Sequence, residues 1–229
     1  MIKEEVVKWF GLSLSDEQLT QFNLYYEFLI EYNKHTNLTR ITEKKEVYYK
    51  HFFDSLLLIK SCDIMQIQTI CDMGSGAGFP SIPLKIMFPH LKVTIVDSLQ
   101  KRITFLTQLS QKLGLKDVTL VHDRAELFAQ KHQEAFDLVT ARALGSLKLI
   151  SEMGIPMIKK TGLFIGLKGA KYEEEIIEAQ GILSALKSKI TAVRTFELPY
   201  EYGMRANIVI QKEKHVTGYP RTYAKMIAV

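Results

Sequence analysis

Apolar residues along this chain recur with two different periods. Up to residue 66 the period is helical. Ser15-Asp-Glu-Gln18 reads as a capping box, in which a serine and a glutamine three residues on each satisfy the other's backbone N–H. Leu19, Phe22, Tyr26, Leu29, Ile30 and Asn33 then share one helical face. The aromatics among them read as core rather than as a base-stacking platform. Asn37 to Ile41 breaks the pattern, and Lys44 to Lys60 resumes it as another helix. From residue 68 short apolar runs alternate with amphipathic stretches. Strands are predicted over 68–72, 92–97, 118–121, 136–141, 161–167, 192–198 and 205–211, and helices over 80–88, 101–113, 124–131, 145–158 and 172–188. Gly114 reads as a helix stop, and Gly162 as the start of a strand after Lys159 and Lys160. This alternation predicts a mostly parallel sheet with helices on both faces. Only a turn, Pro199 to Arg205, separates the last two strands, so they are expected to pair as an antiparallel hairpin. The predicted organisation is a helical extension over 1–66, an α/β domain over 67–212 and a basic tail over 213–229.

The chemistry concentrates in Thr69-Ile-Cys-Asp-Met-Gly-Ser-Gly-Ala-Gly-Phe-Pro80. An apolar strand ends in an acid, Asp72. Gly74, Gly76 and Gly78 follow at alternate positions, and Pro80 is expected in the first turn of the next helix. A strand, a glycine turn and a helix N-terminus together make a nucleotide-cofactor site. The dinucleotide fingerprint requires a third glycine where this chain has Phe79, so that match fails. The acid-x-G-x-G-x-G form instead resembles motif I of class I S-adenosylmethionine (SAM) methyltransferases. Such a fold is Rossmann-like, with seven strands and a terminal antiparallel hairpin. SAM carries a cationic sulfonium, for which an acid at the strand end makes electrostatic sense. A second strand, Lys92 to Asp97, ends in an acid about 20 residues past the glycines, where a carboxylate receives ribose hydroxyls. Asp97 is therefore the expected ribose ligand, with a helix cap as its structural alternative.

Several further strings point to one family: Asn33-Lys-His-Thr-Asn-Leu-Thr39, His51-Phe-Phe-Asp-Ser-Leu56, the fifteen residues from Asp72, Val96-Asp-Ser-Leu-Gln-Lys-Arg102, Arg124-Ala-Glu126, and Phe136 to Leu144. Together they resemble the RsmG (GidB) family of bacterial small-subunit ribosomal RNA methyltransferases, from about residue 20 to 212. The resemblance implies 7-methylguanosine formation in the 530 loop of 16S rRNA, with SAM as donor and S-adenosylhomocysteine (SAH) as product. It places Gly74 and Phe79 in the SAM loop, Ala125 and Glu126 beside the adenine, Asp97 at the motif II acid and Arg142 in the cofactor site. Read without the family, Arg124 to Glu126 is also ordinary helix N-terminal chemistry, with Asp123 as cap. Arg142 ends the fourth strand, where a salt bridge, a cofactor carboxylate or an RNA phosphate would each suit a guanidinium. Lys168 ends the fifth strand and suits either an RNA phosphate or simple exposure. His51, Asn33 and Asn37 are candidates for base contacts, with structural hydrogen bonds the better account of each.

Composition narrows the setting. Hydrophobic residues make up 47% and charged residues 24%, as in an ordinary folded globule. Cys62 and Cys71 supply neither a disulfide framework nor a metal cluster, so no metal is expected. No apolar run reaches the length of a bilayer span, and a cytoplasmic monomer is expected. Residues 1–66 carry eight basic and ten acidic side chains, 67–212 nineteen and fourteen, and 213–229 three and one. The basic excess in the later parts suits a polyanionic partner, here 16S rRNA or the small ribosomal subunit.

Motifs of other methyl acceptors are missing. Exocyclic-amine enzymes carry Asn/Asp-Pro-Pro-aromatic after the fourth strand, where this chain has Thr140-Ala-Arg-Ala143. Cytosine C5 enzymes need a nucleophilic cysteine, and none stands there. Guanine N7 needs no general base, so no catalytic base is expected. Two other classes remain open: a class I methyltransferase acting on tRNA, protein or a small molecule, and a nicotinamide-dependent oxidoreductase. Phe79 and the terminal hairpin argue against the second.

Overall fold

A computed structural model describes residues 2–228. Helices α1 (Ile2–Phe10), α2 (Asp16–Thr36), α3 (Lys44–Val47) and α4 (Asp54–Leu56) precede the sheet. The Ser15–Gln18 capping box forms as expected, and Asn37 closes α2 in the left-handed region at φ 49°. The segment from Lys44 to Ser61 is helical but not one α-helix. Tyr48–Phe53 winds as a π-helix between α3 and α4, and Leu57–Ser61 tightens to 3₁₀. The Asp54 N–H reaches back five residues to the Tyr49 carbonyl. Such wide turns re-aim side chains and recur at functional sites.

The remaining elements are β1 (Thr69–Met73), α5 (Ser81–Met87), β2 (Lys92–Asp97), α6 (Gln100–Lys112), β3 (Val118–His122), α7 (Ala125–Lys131), β4 (Phe136–Arg142), α8 (Leu147–Gly154), β5 (Ile158–Lys168), α9 (Tyr172–Ala185), β6 (Ser188–Glu197), β7 (Met204–Lys212) and α10 (Tyr223–Ile227). They form one seven-stranded sheet in the order β3-β2-β1-β4-β5-β7-β6. Strands β1 to β5 run parallel, and β7 lies antiparallel between β5 and β6. The expected hairpin is therefore present. The strand order reverses between β1 and β4, where open α/β sheets bind ligands at the carboxyl ends.

Alternation along each strand builds two cores. Ile70 and Leu138 face one side, packed with α5, α6 and the N-terminal helices. Cys71 and Val139 face the other, packed with α7, α8 and α9. Phe22 and Leu29 are fully buried in the first core, as their spacing suggested, but the tyrosine that joins them is Tyr25, while Tyr26 is only half-buried against that core. Phe52 and Phe53 are also fully buried there.

Four local expectations need correction. Strand β5 starts at Ile158, so Gly162 lies inside it rather than at its start. There the β4–β5 register jumps from Phe136↔Ile158 to Leu138↔Leu163. A Cβ on Gly162 would sit 2.9 Å from the Asp137 carbonyl oxygen, so the bulge demands glycine. The helix expected over 145–158 ends at Gly154 and gives way to a 3₁₀ turn, Ile155–Met157, because Pro156 cannot continue it. Pro80 precedes α5 instead of sitting within its first turn. Asp123 does not cap α7; Arg124 holds that position with no side-chain cap, while Asp123 pairs with Lys131.

Candidate functional site

Two cavities open at the carboxyl edge of the sheet, separated by the turn after β4. Leu144 lines one of them, and its neighbours Ala143 and Gly145 line the other. The first cavity, of about 500 Å³, is framed by Gly74, Asp97, Arg102, Ala125, Glu126 and Tyr223.

Its floor is the turn that leaves β1. The Gly74 N–H donates to the Val96 carbonyl at 2.8 Å, which extends the β1–β2 pairing by one bond. The Gly76 N–H donates to Asp97 Oδ2 at 3.3 Å. Gly76 has φ +62°, and a Cβ there would meet nothing within 4 Å; the space over it is empty, next to the cavity-lining Asp97 though not itself on the cavity wall. Gly78 differs. At φ +101°, its Cβ would fall 2.7 Å from Ile82 Cγ1 and 2.8 Å from the Tyr25 hydroxyl. Gly78 thus lets α2 close on the loop, where the Tyr25 hydroxyl donates to the Ala77 carbonyl. Phe79 also belongs to packing. Its buried ring lies between Tyr25 and His51, with centroids 5.5 and 4.5 Å away, and lines neither cavity.

Asp97 is 2% exposed and accepts three donors: Gly76 N–H, the Leu99 N–H at 3.0 Å and Arg102 Nη1 at 3.1 Å. Leu99, not Asp97, occupies the α6 cap position. The carboxylate therefore ties the glycine turn to α6 and faces the cavity. Glu126, also buried, pairs with Arg124 at the start of α7. Asp72 lies beneath the loop, fully buried, and accepts the Ser81 N–H at 3.2 Å. Burial pushes its pKa up to about 7. It braces the start of α5 and does not line the cavity.

The residues fit SAM. The buried Asp97 carboxylate suits a pair of ribose hydroxyls, and Gly76 leaves room that any side chain would take. The volume lies within the usual range for cofactor sites. Asp97, Gly74, Ala125 and Glu126 would hold the nucleoside.

The second cavity, of about 530 Å³, is lined by Lys50, His51, Asp54, Arg142, Lys168 and Arg205 among others. Arg142 organises it. Nη1 donates to Asp54 Oδ2 at 2.8 Å and to the Lys50 carbonyl at 3.3 Å, and Nη2 donates to His51 Nδ1 at 3.0 Å. Its guanidinium also lies 5.1 Å from the Phe79 centroid. Arg142 makes the salt bridge that its position allowed, on the far side of Leu144 from the first cavity. His51 Nδ1 also lies 3.1 Å from the Lys50 carbonyl, but arginine only donates and Arg142 Nη1 already serves that carbonyl, which favours the tautomer with a bare Nδ1. The Nε2–H then donates to Thr39 Oγ1 at 3.0 Å. Burial, with Arg142 beside it, pushes the His51 pKa down to about 3. His51 is thus a neutral strut between regions of the chain.

Lys168 is not exposed. At 8% exposure it pairs with Glu175 at 2.6 Å and donates to the Gly145 carbonyl. Asn33 bonds both backbone groups of Thr39, and Asn37 ends α2, so both play structural parts. Asp54, Arg102, Arg205, Glu175 and Tyr223 were missed. Asp54 alone had a local signal, standing three residues after His51 on a helical segment.

The chain matches the family model of rRNA small subunit methyltransferase G over residues 18–202. It is 51% identical over 223 residues to the ribosomal RNA small subunit methyltransferase G of Acholeplasma laidlawii, covering 97% of this chain and 96% of the relative. Among solved structures, a putative O-methyltransferase from Klebsiella pneumoniae shares the fold with a TM-score of 0.57 at 13% identity, over 93% of this chain and 96% of that one. M. jannaschii TYW2, solved in complex with AdoMet, does so with a TM-score of 0.53 at 16% identity, over 71% and 77%. Identity of one residue in two, sustained along almost the whole length of both chains, means that this chain belongs to the rRNA small subunit methyltransferase G family and is a SAM-dependent rRNA methyltransferase.

Proposed function

We propose that the enzyme transfers the methyl group of SAM to guanine N7 in the 530 loop of 16S rRNA, giving 7-methylguanosine and SAH. The observation that supports this reading is a second cavity in which, among the described residues, every ionisable side chain that lines it already has a protein partner. Arg142 occupies the bare nitrogen of His51. Asp54 holds Arg142 and Arg205, and Glu175 holds Lys168 and the Leu147 N–H. Neither cysteine lines this cavity, and burial pushes the Cys62 thiol up to about 12 and the Cys71 thiol upward too. An exocyclic amine, a ribose hydroxyl or a cytosine C5 needs a base or a nucleophile. Guanine N7 presents a free lone pair at neutral pH and needs only to be held in line with the methyl–sulfur bond.

The rim supports an RNA substrate. Lys50 and Arg205 line the cavity, and Arg142 and Lys168, also on its wall, are committed to Asp54 and Glu175. Lys45 Nζ lies 3.4 Å from the centroid of the exposed Tyr200, and Lys50 Nζ lies 4.5 Å from that of Tyr202. Cations beside aromatic faces suit an unpaired, splayed-out nucleotide with the Hoogsteen edge accessible. The substrate in this reading is 16S rRNA or the small ribosomal subunit. No metal takes part, since the sulfonium already activates the methyl group, and EDTA should leave the rate unchanged.

Cells lacking the gene should lack one 7-methylguanosine in the 530 loop, restored by the gene in trans. Nucleoside mass spectrometry showing transfer to an exocyclic amine or a ribose hydroxyl would sink the N7 assignment.

A further inference from the structure

The sequence beyond residue 212 lies past the end of the family model at residue 202, and it is built into the fold. Arg221 makes a two-pronged ion pair with Glu152 of α8, Nε to Oε1 and Nη2 to Oε2, both at 2.7 Å. Its backbone N–H adds a third bond to the same carboxylate at 3.0 Å. Glu152 is 1% exposed. A carboxylate so buried requires a charged partner, and the tail supplies it. Gln130 of α7 donates to the Pro220 carbonyl at 3.2 Å, and Gln133 donates to the Tyr219 carbonyl at 3.3 Å. Met226 of α10 is buried in the core beneath α8.

These contacts set the position of Tyr223, the first residue of α10. Its side chain is 40% exposed, and it lines the first cavity beside Arg124, Ala125 and Glu126. The Arg124 guanidinium lies 4.6 Å from the ring centroid. The rest of the ring is open on the wall of the cavity, where a ligand can pack against it.

We propose that Tyr223 is part of the cofactor site and forms an aromatic wall against the adenine of SAM. The proposal rests on the reading that this cavity holds SAM. Asp97, at the end of β2, takes the ribose in that reading. The base then lies further along the sheet edge toward β3 and α7, where Ala125 and Glu126 stand and where Tyr223 closes the cavity. A flat purine offers the face that a tyrosine ring packs against. The tail thereby couples cofactor binding to the Arg221–Glu152 dock, and a segment beyond the family model completes the site.

Calorimetry on the full chain tests this, with SAH and SAM as separate titrants. Tyr223→Ala should weaken both by roughly three- to tenfold, the loss of one aromatic contact, while Tyr223→Phe binds like the wild type. The ligand-free melting temperature should stay unchanged. In steady state, Tyr223→Ala should raise KM for SAM and leave kcat in place. Tyr223→Trp gives a second readout. Its emission should change on adding SAH, over a wild-type background set by Trp9 on α1. Unchanged SAH affinity in Tyr223→Ala overturns the proposal. A loss confined to SAM overturns the adenine assignment, because it would mark contact with the sulfonium. A wild type that fails to bind SAH overturns the cofactor reading itself, whereas wild-type binding with no effect at Tyr223 overturns only the part given to the tail.

Discussion

Arg142 Nη1 donates to Asp54 Oδ2 at 2.8 Å, tying the last residue of β4 to a helical segment 88 residues earlier. Asp54 also receives Arg205 Nε at 3.1 Å, from β7. One carboxylate thus joins the N-terminal helices to two strands of the sheet. It also shapes the second cavity, since all three residues line it.

Arg142→Ala should therefore act on stability and on RNA methylation, not on cofactor binding. Breaking a pair this buried costs about 3 kcal/mol, at the low end of the usual range because Asp54 keeps Arg205. Urea unfolding measures that loss. SAH affinity should be unchanged by calorimetry, and the salt dependence of RNA binding should keep its slope, because Arg142 is already committed to protein partners. A tenfold loss of SAH affinity in a folded variant would return Arg142 to the cofactor site.

Asp97→Ala separates a ligand from a brace. A carboxylate holding ribose hydroxyls contributes about 1.5–3 kcal/mol, so SAH affinity should fall about ten- to a hundredfold. The melting temperature should fall as well, because Gly76, Leu99 and Arg102 lose their acceptor. A lower melting temperature with intact affinity would leave Asp97 only the structural part.

The glycines of the loop should respond differently. Gly76→Val places a side chain in open space beside the cavity, so the protein should fold, with a strain of about 1–2 kcal/mol from the positive φ, and fail to bind SAH. Gly78→Ala meets Ile82 and the Tyr25 hydroxyl at under 3 Å, so it should lower the melting temperature first. Thermal melts with and without SAH distinguish the two. Equal behaviour would contradict the division of the loop into a ligand face and a packing face.

Asp72 predicts a pH dependence of stability. Burial raises its pKa from 3.8 to about 7, opposed by Ser81 and Arg142. Between those values the folded chain holds a proton that the unfolded chain has lost. The stability this contributes is complete below about pH 4 and is lost as pH rises through about 7. Asp72→Asn does not titrate. Its melting temperature should therefore gain on the wild type between pH 5 and pH 8. A constant difference across that span would show that Asp72 stays ionised throughout.

The periodic and closely spaced features were legible in the sequence. Seven strands, the terminal hairpin, the Ser15–Gln18 cap and the glycine turn with Asp97 each depend on residues near one another in the chain, or on a repeat imposed by strand and helix geometry. Local chemistry also pointed to the cofactor class, because three alternate glycines after a strand that ends in an acid form a recognisable motif. Tertiary structure decided which partner each charge takes. Arg142 reached Asp54, Lys168 was buried against Glu175, and Arg221 found Glu152 across 69 residues. The division of labour between Gly76 and Gly78 depended on where α2 came to rest. So did the place of the Phe79 ring, which packs in the core between Tyr25 and His51. Whether a buried side chain meets an ion, a ring or open space depends on what the rest of the chain brings beside it. That is fixed by packing between segments far apart in sequence, which no local pattern records.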